Sequence, residues 1–537
     1  MNQTINPEQL KKLSHSDKEY ALIDVREEGV FSKGHLFHAT PLALSQLELH
    51  IRRLVPRFDT PVVVMDGGDG LAVTAAEVLG RGGYDRLSVM SATLAECAAA
   101  GFEIFEGVNV PSKAFGEFVE LACHTPHVPP AELKASLARG DDVLVLDSRP
   151  FDEYAAMHIP GAISCPSQEL LYRFAQIVPR ATTTIVVNCA GRTRSIIGAQ
   201  SLINGRVPNR VVALENGTMG WRLAGFELEH GEGRRIATQP VPAAADVRTA
   251  AARIARESGV RVIDRDTLAK WRGEQERHTL YVFDVRPFEE YVEAHLPDAI
   301  PIEGVQLVQK TDGYVAVRNA RVVVTDNDGV RARLTAAWLA QMGLGNVAVL
   351  DDAQSEPMVG GPYRPTPLFE PAWNAVIEPT ELARRLPSRD VTVIDLSRSL
   401  TYKARHIPGA WFAIRARLAK GLQTIAPAGD VVLTSDDGIL ARFAASTVEQ
   451  ALGRRPLVLA GGNKAWLAAG LPVESGMTKL ADPPEDAFWR PYELEGRQEA
   501  AMEQYLSWEQ GVVEQVKRDG LAQFRPLTPD RIWAADD

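Results

Sequence analysis

The 537-residue chain has few cysteines, and their spacing excludes two common kinds of site. It contains four, Cys97, Cys123, Cys165 and Cys189, and no Cys-x-x-Cys pair. Four cysteines without such a pair in so long a chain give neither a disulfide framework nor a zinc site. We therefore expect a reducing compartment, the cytoplasm, and no bound metal.

Long apolar runs and basic runs are missing as well. No stretch approaches the roughly 20 apolar residues that a membrane span needs, and residues 1–13 lack the cationic and apolar parts of a signal peptide. Asp and Glu number 69 against 58 Lys and Arg, which gives a net charge of −11. Because no basic stripe stands out, we expect neither a membrane nor a nucleic-acid partner.

What the sequence does have is one pattern repeated four times. A short apolar strand ends in an aspartate, and a histidine follows it by eleven positions in every case: Asp24 and His35, Asp147 and His158, Asp284 and His295, and Asp395 and His406. A second apolar strand then leads to one loop position per repeat, which is occupied in turn by Asp66, Cys189, Asp326 and Ser435. Because chance does not preserve such a register, the chain is predicted to contain four structural repeats.

The order of elements within each repeat predicts its architecture. Strands alternate with helical patterns, which is typical of a parallel sheet covered by helices on both faces. The predicted fold class is therefore α/β, with four tandem domains of this kind and a helical C-terminal tail. We place the domains at residues 1–107, 128–233, 260–361 and 372–476, and the tail at residues 477–537. Further helical patterns lie outside the domains, over residues 115–122, 247–257 and 497–518.

Only the second repeat has a cysteine at the loop position. Residues 184–187 predict a buried strand, and a helix is predicted over residues 195–202, opened by Ser195 as its N-cap. Cys189 would then face a helix N-terminus, where backbone N–H groups and the helix dipole favour a thiolate. Arg192 and Arg194 add positive charge, and no acidic residue lies between Cys189 and Ser195. We expect a small cationic cup that attracts an anion, with a nucleophile at its base.

This loop and its surroundings resemble the rhodanese (sulfurtransferase) family. The resemblance rests on ordered segments at residues 145–154 and 158–162, on the loop itself, and on the closing segments at residues 214–217, 220–221 and 224–226. It implies that Cys189 is the catalytic residue. It also implies that the rest of the loop binds the substrate, through Ala190, Gly191, Arg192, Thr193, Arg194 and Ser195.

The resemblance implies a double displacement. Cys189 attacks the outer sulfur of a small anionic donor such as thiosulfate, sulfite leaves, and the resulting persulfide passes its sulfur to cyanide, to a thiol or to a protein acceptor. No metal or organic cofactor is needed. In the family, basic loops accompany thiosulfate and small neutral loops accompany mercaptopyruvate, so Arg192 and Arg194 favour thiosulfate as the donor.

The other three repeats are predicted to be inactive. A carboxylate at the loop position, as at Asp66 and Asp326, cannot form a persulfide and repels an anionic donor. Ser435 is followed by two aspartates and has no histidine base close in sequence, so it is a poor candidate nucleophile.

Several residues of the second repeat have a structural interpretation. His158, Asp147 and Arg149 recur in repeats without the cysteine, so we interpret the histidine as part of the fold and the other two as a buried ion pair. Trp221 fits either packing or a wall of the pocket. Cys165 precedes Pro166 on an apolar segment, which favours packing over a second redox role.

Three other functions compete with a thiosulfate sulfurtransferase. The first is a 3-mercaptopyruvate sulfurtransferase, and the second is a multidomain sulfur carrier or scaffold with little turnover. The third is a cysteine phosphatase or an arsenate-handling relative, which needs an arginine after five intervening residues. This chain has Ser195 at that position, and Arg194 comes one residue too early. The loop is therefore too tight for a tetrahedral oxyanion.

Overall fold

The computed structural model describes residues 3–237, 239–353, 356–388 and 390–533. Residues 1–2 and 534–537, which belong to the predicted first domain and to the predicted tail, lie outside the described residues. Four α/β units follow one another along the chain, one for each sequence repeat, and a helical region follows the fourth. The predicted fold class is confirmed.

The first unit alternates strands with helices and ends in a long connecting helix. Its elements are β1 (Gln3–Ile5), α1 (Pro7–Ser14), β2 (Tyr20–Asp24), α2 (Glu28–Phe31), β3 (Thr40–Pro41), α3 (Leu47–Leu54), β4 (Val62–Met65), α4 (Leu71–Arg81), β5 (Leu87–Met90), α5 (Leu94–Ala99) and α6 (Val110–Cys123). The connecting helix α6 contains the helical pattern predicted over residues 115–122.

The second unit carries Cys189 between its strand β9 and its helix α11. Its elements, and the helix that bridges to the third unit, are β6 (His127–Val128), α7 (Pro130–Arg139), β7 (Val143–Asp147), α8 (Phe151–Ala156), β8 (Ile163–Ser164), α9 (Ser167–Tyr172), α10 (Phe174–Ile177), β9 (Thr184–Asn188), α11 (Thr193–Asn204), β10 (Val211–Leu214), α12 (Gly217–Leu223), β11 (Arg234–Arg235) and α13 (Ala245–Glu257).

The third unit repeats this order with one additional strand, β15. Its elements are β12 (Arg261–Ile263), α14 (Arg265–Gly273), β13 (Leu280–Asp284), α15 (Phe288–Glu293), β14 (Ile300–Pro301), α16 (Gly304–Gln309), β15 (Val317–Arg318), β16 (Arg321–Thr325), α17 (Arg331–Gln341) and β17 (Val347–Leu350).

The fourth unit is followed by the two helices of the tail. The elements are β18 (Val376–Ile377), α18 (Pro379–Arg385), β19 (Val391–Asp395), α19 (Ser399–Ala404), β20 (Trp411–Phe412), α20 (Leu418–Ile425), β21 (Asp430–Thr434), α21 (Ile439–Leu452), β22 (Leu457–Leu459), α22 (Gly462–Ala468), α23 (Gln498–Asp519) and α24 (Pro529–Trp533). The tail helix predicted over residues 497–518 is α23.

All four sheets share one strand order, and this order explains the repeated spacing. In the second unit the order is β6-β10-β9-β7-β8, extended by β11 beyond β8, and these strands pair in parallel. The strand that ends in the repeated aspartate lies directly beside the strand that leads to the loop position. Asp147 pairs with Asn188, the residue before Cys189. The aspartate and the loop therefore meet at the same edge of the sheet.

The units also pack against one another in ways that the sequence does not predict. Strand β15 of the third unit joins the sheet of the first unit in antiparallel fashion beside β2. Helices α16 and α17 pack on α9 of the second unit, where the buried Arg331 forms an ion pair with Glu169 at 3.0 Å. An apolar cluster runs continuously through the first three units. Within the described ranges, no helix combines the length and the apolarity that a membrane crossing requires.

Buried carboxyl groups of the third unit make its stability depend on pH. Glu303, the residue before α16, is half-buried, and its Oε2 is a buried atom without a hydrogen-bond partner among the described residues. Burial, with Glu169 and Glu289 nearby, raises the pKa of Glu303 to about 7. Burial likewise raises the pKa of Asp312 and of Asp326 to about 7. Because these values exceed those of the unfolded chain, the stability gained by holding the protons at low pH is lost as the pH rises through about 7.

We expect the midpoint of thermal unfolding to be a few degrees lower at about pH 8 than at about pH 5. Glu303→Gln, which keeps the shape without the ionisable group, should retain a higher midpoint at about pH 8 and flatten this dependence. Glu276→Gln, on an exposed side chain of the same unit that does not contribute to the pKa of Glu303, is the control and should keep the wild-type slope. If the unfolding midpoint falls equally with pH in the wild type and in Glu303→Gln, Glu303 does not contribute to the pH dependence.

Candidate active site

The cysteine loop is shorter than the sequence predicts. Helix α11 begins at Thr193, two residues before the predicted N-cap Ser195, and Arg192 holds the N-cap position without a side-chain hydrogen bond. Ser195 instead stabilises the loop from within, because its Oγ donates to the Arg192 carbonyl at 2.7 Å. The Cys189 thiol donates to the same Oγ at 3.6 Å. Cys189 is therefore buried at the carboxyl end of β9, against the first turn of α11.

The start of α12 forms the other wall of the loop. The Thr218 N–H donates to the Cys189 carbonyl at 2.8 Å, and the Met219 N–H donates to the Ala190 carbonyl at 3.0 Å. Gly217 has a φ of +56°, and a Cβ there would lie 2.3 Å from the Cys189 carbonyl oxygen. Only glycine lets α12 approach so closely. Gly217 belongs to a segment that carries the family resemblance, but its contact with the loop could not be predicted from the sequence.

The positive charge expected from the loop is largely paired within the chain. Arg192 donates to Glu117 of α6 at 2.7 and 2.9 Å and also to Glu120. Arg194 donates to Glu153 of α8 at 2.8 and 3.0 Å. The expectation of a cationic cup considered only acids between residues 189 and 195, whereas these acids come from elements far away in sequence. The cup is therefore less cationic than predicted.

Glu153 is held in its ionised form at this site. Burial alone would raise its pKa, but the neighbouring Arg194, and after it Arg490 of the tail, hold the pKa of Glu153 well below its usual range. The Arg490 guanidinium lies 3.8 Å from the Glu153 carboxylate. One carboxylate thus lies between two guanidinium groups.

A cavity of about 70 Å³ opens onto the loop, and three parts of the chain line it. The loop contributes Ala190, Gly191 and Arg194. The third unit contributes Gln306, Gln309 and Lys310, and the tail contributes Arg490, Tyr492 and Tyr505 among others. The sequence did not predict that the third unit and the tail cover this site, because nothing in their local pattern shows where they dock.

The tail helix α23 touches the loop directly. Glu509 is fully buried, and one of its oxygens accepts a hydrogen bond from Lys113 of α6 at 2.5 Å. The other oxygen, Oε2, has no hydrogen-bond partner among the described residues, and a Cβ on Gly191 would lie 2.8 Å from it. Gly191 therefore permits the close approach of α23 to the loop.

The predicted ion pair lies directly beneath the loop. Arg149 donates to both oxygens of Asp147, at 2.8 and 2.7 Å, and both side chains are fully buried. The amide of Asn188 donates to Asp147 at 2.9 Å. The pair thus ties the end of β7 to the end of β9, where Cys189 begins the loop.

His158 and Trp221 lie in the core of the second unit, and neither lines the cavity. The His158 ring stacks on Tyr154 with ring centres 4.0 Å apart. The Trp221 indole is fully buried, and its Nε1 donates to the Glu227 carbonyl at 2.9 Å. Cys165 is also fully buried, and burial raises the pKa of its thiol well above the usual value.

In two of the other repeats, the aspartate at the loop position accepts hydrogen bonds from backbone N–H groups of its own loop and of the following helix. Asp66 accepts from the N–H groups of Gly68 and Ala72 at 2.7 and 2.8 Å. Asp326 accepts from the N–H groups of Gly329 and Ala332 at 2.9 and 2.8 Å, and Ala332 is the position equivalent to Ala72. In these repeats the side chain occupies the place that an anionic ligand would take at the helix N-terminus.

Comparison with known proteins identifies the family to which these four units belong. The model of the rhodanese-like domain matches the chain four times, over residues 6–99, 129–224, 264–355 and 378–469. A crystal structure of a thiosulfate sulfurtransferase from Pseudomonas aeruginosa is 44% identical, with a TM-score of 0.92 over 98% of this chain and 100% of that one. An HTH-type transcriptional regulator from Mycobacterium tuberculosis is 36% identical over 90 residues, which are 17% of this chain and 39% of that protein.

Proposed function

Since the chain belongs to the rhodanese-like domain family and is a rhodanese-type sulfurtransferase, we propose that its sulfur donor is thiosulfate and that Cys189 carries the sulfur as a persulfide. The observation that carries this proposal is the position of Cys189. It occupies the loop position at a helix N-terminus, beneath a small cavity lined by several cationic side chains. The 44% identical relative is named a thiosulfate sulfurtransferase, which supports the same donor.

The first half-reaction loads the cysteine. The Cys189 thiolate attacks the outer sulfur of thiosulfate, a bond forms between the two sulfurs, and the sulfur–sulfur bond of the donor breaks. Sulfite leaves with the electron pair. Arg194 and the backbone N–H groups at the start of α11 are close enough to the cavity to stabilise the charge that moves onto sulfite.

The second half-reaction removes the transferred sulfur from Cys189. Cyanide or a thiolate attacks the outer sulfur of the persulfide and forms a new bond to it. The sulfur–sulfur bond of the persulfide breaks, and its electron pair stays on Cys189, which regenerates the thiolate. Cys189 is buried and the cavity holds only a small molecule, which favours a small acceptor over a protein acceptor. The four cysteines are free thiols, as this chemistry in the cytoplasm would require.

The roles of the loop residues differ in this proposal. Ala190, Gly191 and Arg194 face the cavity and bind the donor. Thr193 and Ser195 belong to the first turn of α11, where Ser195 holds the Cys189 thiol. The guanidinium of Arg192 is fixed by Glu117 and Glu120, so we assign it to holding α6 against the loop.

Mass spectrometry of the intact protein tests the proposal. After incubation with thiosulfate and removal of excess donor, the wild type should gain one sulfur atom, and cyanide should remove it. Digestion should place the added sulfur on the peptide that contains Cys189 and leave those with Cys97, Cys123 and Cys165 unmodified. Loading by mercaptopyruvate but not by thiosulfate would keep the persulfide and overturn the donor. Loading by neither would favour a scaffold function.

A further inference from the structure

The cysteine-less third unit places a cation over the active site. Lys310 directly follows α16, is half-buried and lines the cavity above the Cys189 loop. Its ammonium group forms no ion pair or hydrogen bond with any described residue. The other cations of the cavity have partners: Arg194 is bound to Glu153, Arg490 to Tyr492, and Lys113 to Glu509. Lys310 is therefore the free positive charge at this site among the described residues.

Two amides line the same cavity as Lys310. Gln306 and Gln309 are three positions apart on α16, so they share one face of this helix, and that face borders the cavity. Their side-chain oxygens are buried without a hydrogen-bond partner in the described structure, and Gln309 is only 6% exposed. Because a flip of the amide exchanges oxygen and nitrogen, each can present an N–H donor to the cavity. A cation and two spare amides together form a site for an anion.

The charges of the side chains around the cavity also favour an anionic ligand. The charged side chains that line the cavity are Lys113, Arg194, Lys310, Arg490 and Glu153. Glu509 behind the loop neutralises Lys113, so three cations remain against the single carboxylate of Glu153. Burial, together with the charge of Arg490, lowers the pKa of Lys310. An ammonium group kept in such surroundings costs stability, and a bound anion would offset this cost.

We propose that Lys310, assisted by Gln306, Gln309 and Arg490, binds the oxyanion end of the sulfur donor and thereby determines donor specificity. This inference rests on the proposed function, because it takes an anionic donor at Cys189 as given. The outer sulfur of the donor then points down to Cys189 while its charged end lies against the third unit. A domain without a catalytic residue thus completes the active site of its neighbour.

Steady-state kinetics of thiosulfate:cyanide sulfur transfer test the inference. Lys310→Met should raise the KM for thiosulfate by about tenfold to a hundredfold, which is the usual worth of a hydrogen bond to a charged group. The KM for cyanide and the rate at which cyanide discharges a preloaded persulfide should not change. Lys310→Arg should restore the KM to within a few-fold of wild type. Lys270→Met, on an exposed lysine of the same unit outside the cavity, is the matched control.

Thermal unfolding separates this role from a structural one. Because Lys310 is a half-buried cation without an ion-pair partner among the described residues, Lys310→Met should unfold at the same temperature as wild type or higher. A lower midpoint together with a lower kcat and an unchanged KM would indicate a structural role and overturn the inference. An unchanged KM for thiosulfate in a stably folded Lys310→Met protein would overturn it as well.

A binding measurement keeps this inference distinct from the proposed function. Calorimetric titration of thiosulfate into the Cys189→Ser protein reports anion binding without sulfur transfer. If this protein binds thiosulfate and the additional Lys310→Met substitution weakens binding at least about tenfold, the anion site is established even where no persulfide forms. If wild type forms the persulfide but binding to the two Cys189→Ser proteins is equal, the proposed function stands and the role of Lys310 fails.

Discussion

Cys189→Ser should lower the turnover of thiosulfate:cyanide sulfur transfer at least about a thousandfold and abolish sulfur loading. The serine hydroxyl is nearly isosteric with the thiol, so the contact with Ser195 and the packing of the loop are kept. It is, however, a far weaker nucleophile near neutral pH and cannot hold sulfur as a persulfide. The loss should therefore appear in kcat and in the loading step, with little change in the unfolding temperature.

Cys165→Ala is the matched control for this substitution. Cys165 is a fully buried thiol of the same unit, and it does not line the cavity. The Cys165→Ala protein should load one sulfur and turn over at nearly the wild-type rate, with a small loss of stability from the void that the missing sulfur leaves. Turnover by Cys189→Ser above about one per cent of wild type would contradict the persulfide route. So would loss of loading in Cys165→Ala, since that would make Cys165 part of the chemistry.

The position of Cys189 in the fold could be predicted from the sequence because it depends on the local order of elements. A strand, a tight loop and a helix follow one another within about twenty residues, and their periodicity shows where Cys189 lies relative to a helix N-terminus. The spacing between Asp147 and Cys189 is likewise a property of two adjacent parallel strands, whose ends meet at one edge of the sheet. The repetition of this order four times made the fold class predictable as well.

The charge of the site could not be predicted in the same way. Glu117 comes from the connector and Glu153 from α8, and each reaches the loop only through tertiary packing. The same holds for Lys310 and Arg490, which come from another unit and from the tail. Their sequence surroundings are those of ordinary amphipathic helices and turns, and periodicity shows which face is apolar but not which surface it meets.

The four repeats share one architecture but differ at the loop position. In the first and third units a carboxylate accepts hydrogen bonds from the N–H groups at the helix N-terminus, so the anion site is filled by the protein itself. Such a unit no longer needs an open cavity over its own loop. Its surface is free to dock on a neighbour, as α16 does at the Cys189 cavity.

Gly217→Ala should lower turnover at least about a hundredfold, although residue 217 bears no reactive group. A Cβ at this position would lie 2.3 Å from the Cys189 carbonyl oxygen and 2.7 Å from that of Gly191. Both neighbours are backbone atoms, which cannot rotate away as a side chain would. The loop or α12 must therefore move, and a displacement of about 1 Å at a reacting group costs about this much in rate. Steady-state and single-turnover loading with thiosulfate would measure the loss.

Gly225→Ala isolates the clash from the backbone strain that both substitutions introduce. Gly225 lies in the same unit with a φ of +79°, so alanine there is also strained by the left-handed backbone. However, no atom lies within 4 Å of the Cβ position at residue 225. Both variants should lose stability, by about 1 to 2 kcal/mol from this strain, whereas only Gly217→Ala should lose its rate of sulfur loading. Equal turnover in the two proteins would mean that the loop absorbs the clash without displacing Cys189. The geometry of α12 would then not be part of what positions the nucleophile.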